Sequence, residues 1–567
     1  EGHLGKVACD MIGTLIAENT TLQRLNLSNT GLGLAIANEA EGGHIVLTPL
    51  CASKHCPLCE LDLSSTKMSD KAGSKLLSSL SMGLNKRALG YEKIIYLNLA
   101  KNELGKATGG TLKELLWSEG CTLQHLDLSS NHTLDGYDIA AAVKRNQSLT
   151  SIDVRDIPTA NTDAVFDFFA SFLLQDENRC QLGLLSCDAF QVQEGLESLE
   201  LTGTVRTPTF KLLAGVLKYN RSLKRLQLAS TGFDGTAAGF FQVALLSNLA
   251  LEHLDLSSNP LADEDDLAGV ALVADGVASH PTLQTLKLDG AALPVAELRG
   301  AGGASESLDA RDWHLGRLSG HVFGVLAQQN RVLTELNLKS NPLGVRGAES
   351  IVKGMGDTPL RVLNLTSNRL SEEGVSLKPL AASMCRHLGM LQELRLDEND
   401  LKATAEEIAP LCMLRNVRKL SLEKNQLSKL PSLIGTMLSL RSLSMRSNQL
   451  IELPASLCLL VNVEHLDLNK NLLRALPSNF GQLRALVNLE LSENRLSELP
   501  YSFCELSDSL NLSIIRNPLE RPSIDQARQG IAAIRRFFGF TRSRVGAADA
   551  DVERSEERGP PNNEARR

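Results

Sequence analysis

Three stretches of nine residues decide the fold: Leu-Arg-Ser-Leu-Ser-Met-Arg-Ser-Asn at 440–448, Val-Glu-His-Leu-Asp-Leu-Asn-Lys-Asn at 463–471, and Leu-Val-Asn-Leu-Glu-Leu-Ser-Glu-Asn at 486–494. They start 23 residues apart and share apolar residues at positions one, four and six and Asn at position nine. Successive side chains of a strand point to opposite faces, so positions four and six face inward and positions two, three, five, seven and eight face outward. The pattern predicts a stack of short strands, each followed by a turn.

The same pattern covers almost the whole chain. Scanning upstream and downstream gives seventeen copies, named here by the residue at position one: Leu22, Leu58, Ile94, Leu123, Leu149, Leu196, Leu223, Leu251, Leu283, Leu333, Leu360, Leu391, Val417, Leu440, Val463, Leu486 and Ser509. Because a solenoid grows by stacking repeats and needs no separate cores, we expect one elongated unit rather than three or four domains.

Position nine is the best evidence that these are true repeats. Asn occupies it in eleven of the seventeen copies and Thr in four more, at Thr30, Thr66, Thr204 and Thr231. A turn with buried peptide groups needs a short side chain that donates and accepts hydrogen bonds. We therefore predict a ladder of Asn side chains, weakest at Ile157 and Ala291, where position nine is apolar.

The repeats fall into two classes. Up to about residue 410 they are mostly 26 to 36 residues long with helical return segments, and phrases such as Leu-Glu-His-Leu-Asp-Leu-Ser-Ser-Asn at 251–259 resemble the leucine-rich repeats of ribonuclease inhibitor and NOD-like receptors. Residues 411–519 carry 23-residue repeats with Leu-Pro pairs and resemble Ras-scaffold and plant Ras-group repeats. The resemblance implies an α/β leucine-rich repeat solenoid, a curved horseshoe with parallel strands on the concave face, helices on the convex face and a flatter short-repeat part.

Other boundaries follow from breaks in the pattern. Segments 158–195 and 294–330 interrupt the long repeats of residues 1–410, and each is either a protruding loop with a binding role or a decayed repeat. Residues 520–540 should form a capping helix that starts with a Ser523–Gln526 capping box. Residues 541–567 have the composition of a disordered tail. The chain begins at Glu1, which suggests a fragment or processed form.

Composition narrows the function. A net charge of -8 argues against a general nucleic-acid binder, and no stretch approaches the roughly 20 apolar residues that cross a bilayer. The spacing of Cys51, His55, Cys56 and Cys59 is compatible with zinc, but the repeat pattern makes Cys56 a buried core residue. We find no catalytic constellation and expect no enzyme, no metal and no cofactor. Secreted proteins of this repeat type usually close their ends with disulfide-bonded caps, and the sequence shows no such cysteine-rich caps, so we expect a cytoplasmic protein.

The candidate binding face lies in the short repeats. The outward positions there give a basic cluster followed by acidic residues, and we predict that a partner protein contacts them. The candidate residues are Arg395, Arg418, Lys419, Lys424, Arg441, Arg446, His465, Asp467 and Glu490. A column of acids at position five, Asp62, Asp127, Asp153, Glu200 and Asp255, is the other candidate face, or only consensus chemistry.

The leading hypothesis is a cytoplasmic protein-interaction scaffold that binds its partner on the concave face. The short repeats' resemblance to Ras scaffolds implies a small GTPase or its effector as partner. Two alternatives stay open: a GTPase-activating protein of the long-repeat type, and the sensor array of a larger NOD-like receptor, GTPase or kinase.

Overall fold

A computed structural model describes residues 6–38, 46, 48, 56–86, 94–175, 180–262, 266–301, 305–371 and 374–540. The chain divides into two compact units, residues 1–298 and 299–567, where the sequence led us to expect one elongated unit. The predicted tail at 541–567 lies outside the described residues. In the part of the chain that the structure describes, no helix is both long enough and apolar enough to span a membrane.

The first unit contains two sheets of short strands. The first sheet runs in the order β1 to β7, and its strands are β1 Arg24–Asn26, β2 Glu60–Asp62, β3 Tyr96–Asn98, β4 His125–Asp127, β5 Ser151–Asp153, β6 Leu184–Ser186 and β7 Gln191–Val192. The second sheet runs from β8 to β12, and its strands are β8 Ser198–Glu200, β9 Arg225–Gln227, β10 His253–Asp255, β11 Thr285–Leu288 and β12 Ala291–Pro294. All neighbours pair in parallel except β6 with β7 and β11 with β12.

Helices return the chain between these strands. They span Lys6–Glu18, Leu32–Ala37, Asp70–Lys86, Lys106–Leu116, Gly136–Lys144, Asp163–Leu173, Thr207–Tyr219, Gly235–Ser247, Ala268–Ser279 and Val295–Leu298. Consecutive helices pack on one another, as Gly235–Ser247 does on Ala268–Ser279. The helices form one layer of the unit and the strands form the other.

The second unit has one parallel sheet. Its strands are β13 Ser307–Asp309, β14 Glu335–Asn337, β15 Val362–Asn364, β16 Glu393–Arg395, β17 Lys419–Ser421, β18 Ser442–Ser444, β19 His465–Asp467, β20 Asn488–Glu490 and β21 Asn511–Ser513. The α-helices are Arg317–Ala327, Gly344–Gly354, Lys378–His387, Ala405–Ile408, Ile524–Ala527 and Ile531–Phe538. Short 3-10 helices at Met355–Asp357, Ala409–Met413, Ser432–Thr436, Ala455–Leu459, Phe480–Gln482 and Tyr501–Glu505 complete the returns. Three of them directly follow the proline of a Leu-Pro pair, and Phe480–Gln482 begins three residues after Pro477; proline disfavours a longer regular helix here.

Leucines at positions four and six build the core. Leu443 and Leu466, both at position four, pair across neighbouring strands and are buried, and Leu468 at position six is fully buried. Position eight adopts the left-handed conformation, with φ between 50° and 59° from Ser340 to Arg516 in successive repeats of the second unit. This conformation is uncommon for residues other than glycine and turns the chain sharply after each strand. The sequence pattern alone did not reveal it.

The Asn ladder is present. In the short repeats the side-chain amide of each position-nine Asn donates to carbonyls of its own and of the preceding repeat, as Asn448 Nδ2 does to Met445 O at 3.0 Å and Leu422 O at 2.8 Å. Its Oδ1 accepts from the backbone N–H of Leu427 in the preceding repeat at 3.1 Å. Each Asn thus joins two repeats, so the ladder satisfies peptide groups that are buried on both sides.

The chain turns differently at Ile157 and Ala291, the two repeats in which position nine is apolar. Beside Ile157, the amide of Asn161 takes over by donating to Val154 O and Ile157 O, both at 2.9 Å. At Ala291 the chain instead reverses through a turn at Asp289 and Gly290, both with positive φ, and forms the antiparallel pair β11–β12. The parallel pairing of the second sheet therefore ends at this hairpin.

Both irregular segments contain strands of the solenoid. Segment 158–195 forms the helix Asp163–Leu173 and strand β6, whose Leu185 pairs with Ile152 of β5. Segment 294–330 contains β13, whose Leu308 pairs with Leu336. These repeats depart from the pattern at position six, Cys187 or Ala310, and at position nine, Phe190 or Trp313, and neither is among the seventeen copies found in the sequence.

The C-terminal segment covers the last repeat. The Ser523–Gln526 capping box forms, but the segment makes two helices, Ile524–Ala527 and Ile531–Phe538, because Gly530 adopts φ 87° between them. Ile531 and Ile534 are buried. Arg535 donates from Nε to Cys504 O at 2.7 Å and from a terminal nitrogen to Leu506 O at 2.5 Å, so this segment satisfies backbone carbonyls of the final return.

Candidate functional site

The outward-pointing side chains of the second unit's sheet form one surface, here called the strand face. Outward residues at position three pair across strands from Glu393 through Lys419 and Ser442 to His465. Residues at position five form a parallel column, in which Arg395 pairs with Ser421. Neighbouring strands in a sheet lie about 4.8 Å apart, so side chains of adjacent repeats contact one another directly.

A groove of about 580 Å³ lies on this face across strands β13 to β18. Its lining is polar except for two leucines. The lining residues are Arg311, Asn337, Lys339, Asn364, Thr366, Glu393, Leu394, Arg395, Asp397, Glu398, Lys419, Leu420, Ser421, Glu423, Lys424, Ser442 and Ser444.

Ion pairs hold the basic side chains of the groove. Glu393 is largely buried and accepts from Arg395, with a shortest N–O distance of 2.5 Å, and lies 3.4 Å from Lys419 Nζ. Lys424 Nζ lies 2.5 Å from Glu398 Oε1. The cationic groups are still half exposed or more, so they are oriented by the protein and remain accessible to a partner.

The pKa values of two neighbouring groove acids, Asp397 and Glu398, are shifted in opposite directions. The hydrogen bond from Lys424, followed by that from Ser367, lowers the pKa of Glu398. Burial raises the pKa of Asp397, although Ser421 Oγ and the Glu423 N–H donate to it at 2.5 and 2.7 Å. Hydrogen bonds thus favour the charged form of Glu398, whereas burial disfavours the charged form of Asp397.

The structure brings only some of the predicted residues together. Arg395, Lys419 and Lys424 line the groove. The candidates Arg446, His465, Asp467 and Glu490 lie on the strand face but outside the groove lining, on or just after β18 to β20.

The last two candidates belong elsewhere. Arg418 and Arg441 stand at position two, before their strands, and do not line the groove. Arg441 forms an ion pair with Glu464 of the next repeat. An outward position in the repeat pattern was therefore not enough to predict that a residue lines the groove.

Four acids of the groove were missed from the sequence: Glu393, Asp397, Glu398 and Glu423. They occupy positions three, seven and eight, so the same pattern could have found them. Their presence changes the electrostatic description, because the predicted basic cluster is interleaved with carboxylates rather than followed by them. The groove has a mixed charge pattern.

The acidic column of the first unit has mainly local hydrogen-bond partners. Asp62, Asp127, Asp153 and Asp255 each accept from the backbone N–H two residues later at 2.9–3.0 Å. Only Asp127 and Asp153 are direct neighbours in the column, because Asn98 separates Asp62 from Asp127. These contacts favour the consensus-chemistry interpretation of the column.

Cysteines in the described residues are free thiols. Among those residues no group of His, Cys, Asp or Glu side chains is arranged to hold a metal ion. Cys51 and His55 of the zinc-like spacing lie outside the described residues. Cys56 is buried, and Cys59 contacts Gln23 O at 3.4 Å.

Stacked parallel strands, the leucine core and the Asn ladder define a leucine-rich repeat solenoid, and the family model described as "Leucine Rich repeat" matches residues 247–265, 329–352 and 356–377. The chain is a leucine-rich repeat protein. It is 27% identical over 406 residues to the ribonuclease inhibitor of Sus scrofa, which covers 69% of this chain and 80% of that protein.

A second relative is the NACHT, LRR and PYD domains-containing protein 5 of Bos taurus, 28% identical over 338 residues. That match covers 56% of this chain and 27% of the relative, so the chain spans about a quarter of that protein's length. A solved structure of an LRR protein from Leptospira interrogans aligns over 95% of this chain and 97% of that chain, with 21% identity and a TM-score of 0.31.

Proposed function

We propose that this protein is a non-enzymatic scaffold that binds a partner protein in the groove on the strand face of the second unit. The proposal rests on one observation: exposed cationic side chains are held by ion pairs with neighbouring acids. Arg395 and Lys419 pair with Glu393, and Lys424 pairs with Glu398. Side chains already held by ion pairs lose less conformational freedom when they bind a partner. Such a surface favours specific polar contacts.

The composition of the groove supports a protein partner rather than a small molecule. Small-molecule sites are mostly apolar with few polar groups. In this groove fifteen of the seventeen lining residues are polar, and nine are charged. A partner surface with alternating charges can complement it, whereas a small apolar ligand finds only Leu394 and Leu420.

The similar proteins support a binding role of this general type. One is named an inhibitor of ribonuclease, and the others are named for NACHT, LRR and PYD domains. For this chain we propose a partner in intracellular signalling or assembly. The free thiols of the described residues support a reducing compartment such as the cytoplasm.

A small GTPase or its effector is the finer form of the proposal, and it rests on the short repeats' resemblance to Ras scaffolds. The competing function is activation of GTP hydrolysis. Purified small GTPases, incubated with the protein at low and high concentration, separate the two. Binding without a change in the rate of hydrolysis supports the scaffold, whereas accelerated hydrolysis supports the activator.

The test of the groove itself is a double charge reversal, Arg395→Glu with Lys419→Glu. The matched control is Arg331→Glu with Lys429→Glu, because this Arg and Lys are similarly exposed, also form ion pairs, and lie outside the groove lining. Both variants change the net charge equally.

Affinity capture followed by mass spectrometry compares the two variants with the parent protein. We expect the groove variant to lose captured proteins that the control retains, with folding unchanged by circular dichroism. Equal capture by all three proteins contradicts the proposal.

A further inference from the structure

The lateral edge of the second unit, where the short repeats turn into their strands, carries exposed side chains in regular rows. Leu438, Val461 and Arg484 each follow the same tight turn, in which their N–H donates to the carbonyl two residues earlier at 2.8–2.9 Å. They therefore occupy equivalent places in three successive repeats. Arg415 stands at the same place one repeat earlier, two residues before Val417.

A second row runs beside the first at position two. Backbone hydrogen bonds of 2.8 Å connect Arg441 N to Arg418 O, Glu464 N to Arg441 O, and Val487 N to Glu464 O. These residues are thus on consecutive rungs of the solenoid. The two rows together are called the edge surface.

The middle of the edge surface is apolar and exposed. Leu438 is 58% exposed and Val461 is 52% exposed, although both are aliphatic. Three further aliphatic side chains in the adjoining 3-10 helices are exposed, namely Met413, Leu433 and Leu459. Single exposed apolar residues are ordinary, but a set clustered across neighbouring repeats is typical of an interaction site.

Arginines border the apolar part. Arg415 and Arg418 are exposed and make no ion pair with any residue that the structure describes, and they stand one repeat before Leu438. Arg484 stands one repeat after Val461 and lies 3.1 Å from Glu505. The charge of the edge surface is therefore positive at its start, where no carboxylate of the described chain neutralises it.

We propose that the edge surface is a second docking site, and that it takes an amphipathic segment of a partner protein with aliphatic side chains on one face and carboxylates beside them. The aliphatic face would cover Leu438, Val461 and Leu459, and the carboxylates would pair with Arg415 and Arg418. The partner is acidic because the unpaired charges here are basic.

The spacing of the rows fits a helix. Equivalent residues in neighbouring repeats are about 4.8 Å apart, and side chains three or four residues apart on a helix are about 5–6 Å apart. A helix lying along the rows can therefore place one apolar side chain against each of the two central repeats, at Leu438 and Val461, and carboxylates beside the Arg415 repeat. The edge surface contains Arg418 and Arg441, the two predicted residues at position two, although Arg441 is paired with Glu464.

The test uses three synthetic helical peptides with the full-length protein: one with a leucine face bordered by glutamates, one with lysines in place of the glutamates, and one with the first sequence scrambled. Binding is measured by fluorescence anisotropy. We expect the leucine–glutamate peptide to bind more tightly than either of the other two. Equal binding of the lysine peptide, or no binding of any, overturns the proposal.

Substitutions then map the site. Leu438→Ser with Val461→Ser should weaken binding of the leucine–glutamate peptide by about tenfold or more, equivalent to about 1.4 kcal/mol. Ile451→Ser is the control, because Ile451 is also 44% exposed but lies after its strand, at the opposite edge of the repeat. Equal effects at both places overturn the assignment.

Arg415→Glu with Arg418→Glu should abolish the preference for the acidic peptide while leaving the melting temperature unchanged. The groove reversal of Arg395 and Lys419 should leave peptide binding intact, so failure of the groove and failure of the edge surface are distinguishable. Light scattering tests whether a second copy of the chain occupies the edge surface instead. If the parent protein dimerises while the Leu438→Ser, Val461→Ser variant stays monomeric, a second copy covers this edge and the proposal is overturned.

Discussion

Replacing Asn448 with alanine tests the ladder that joins the short repeats. Asn448 is 6% exposed, and its side chain makes contacts of 2.8, 3.0 and 3.1 Å with Leu422 O, Met445 O and Leu427 N. The two carbonyls keep a second donor, because Asn425 Nδ2 also reaches Leu422 O at 3.0 Å and Asn471 Nδ2 reaches Met445 O at 2.9 Å. The N–H of Leu427 has no such substitute among the contacts of the described residues.

The expected cost follows from that one orphaned donor. A buried donor without a partner costs about 1–3 kcal/mol. We expect the free energy of unfolding to fall by about this amount, and amide exchange at Leu427 to accelerate by roughly tenfold to a hundredfold.

Urea denaturation and hydrogen–deuterium exchange measure the two effects. The matched control is Gln449→Ala, since Gln449 is the next residue and is exposed. An unchanged urea midpoint together with unchanged exchange at Leu427 would refute the reasoning. A loss of the same size in the control would mean that the effect is not specific to the ladder.

Three further predictions concern other parts of the second unit. Truncation before Ser523 should cause aggregation at high concentration, seen by light scattering, because it removes the buried Ile531 and Ile534 from the last repeat; a monomeric truncated chain with parent-like melting argues against a capping role. Asp397→Asn should stabilise the protein at neutral pH. Burial raises the pKa of Asp397 in the folded state above its pKa in the unfolded chain, so ionisation of this carboxyl group lowers the stability of the fold as the pH rises from the unfolded pKa through the folded pKa. That gain should vanish in chemical denaturation at a pH below the unfolded value, and a gain independent of pH contradicts the assignment. Burial raises the pKa of Cys458 to about 11, so iodoacetamide at pH 8 should label Cys458 only after unfolding, as mass spectrometry of the labelled peptides can show; rapid native labelling contradicts this.

The strands and the Asn ladder could be predicted because each depends on residues within one nine-residue pattern. Leucines at positions four and six form the buried face of each strand, and Asn at position nine makes the hydrogen bonds of the turn. The hairpin at Asp289–Gly290 was harder, since it depends on positive φ at both positions seven and eight, whereas the other copies of the pattern have positive φ at position eight but not at position seven. The strand β6 was missed because its repeat departs from the pattern at two places, Cys187 at position six and Phe190 at position nine.

The candidate site was only partly predictable. The pattern identified Arg395, Lys419 and Lys424 as outward residues, and the structure places them in one groove. It did not separate position two, which precedes the strand, from positions three to eight, so Arg418 and Arg441 were grouped with residues of a different surface. Pairing across repeats, as between Glu393 and Lys419, depends on side-chain reach that a linear pattern does not contain.

Site-specific photocrosslinking tests the central claim that the groove on the strand face binds a partner. A photoreactive phenylalanine analogue replaces Lys419 in one protein and Lys429 in another; the two lysines are 65% and 64% exposed, but only Lys419 lines the groove. We predict that irradiation with a partner obtained by affinity capture yields a crosslink from position 419 and none from position 429. A crosslink from position 429 alone would contradict the account.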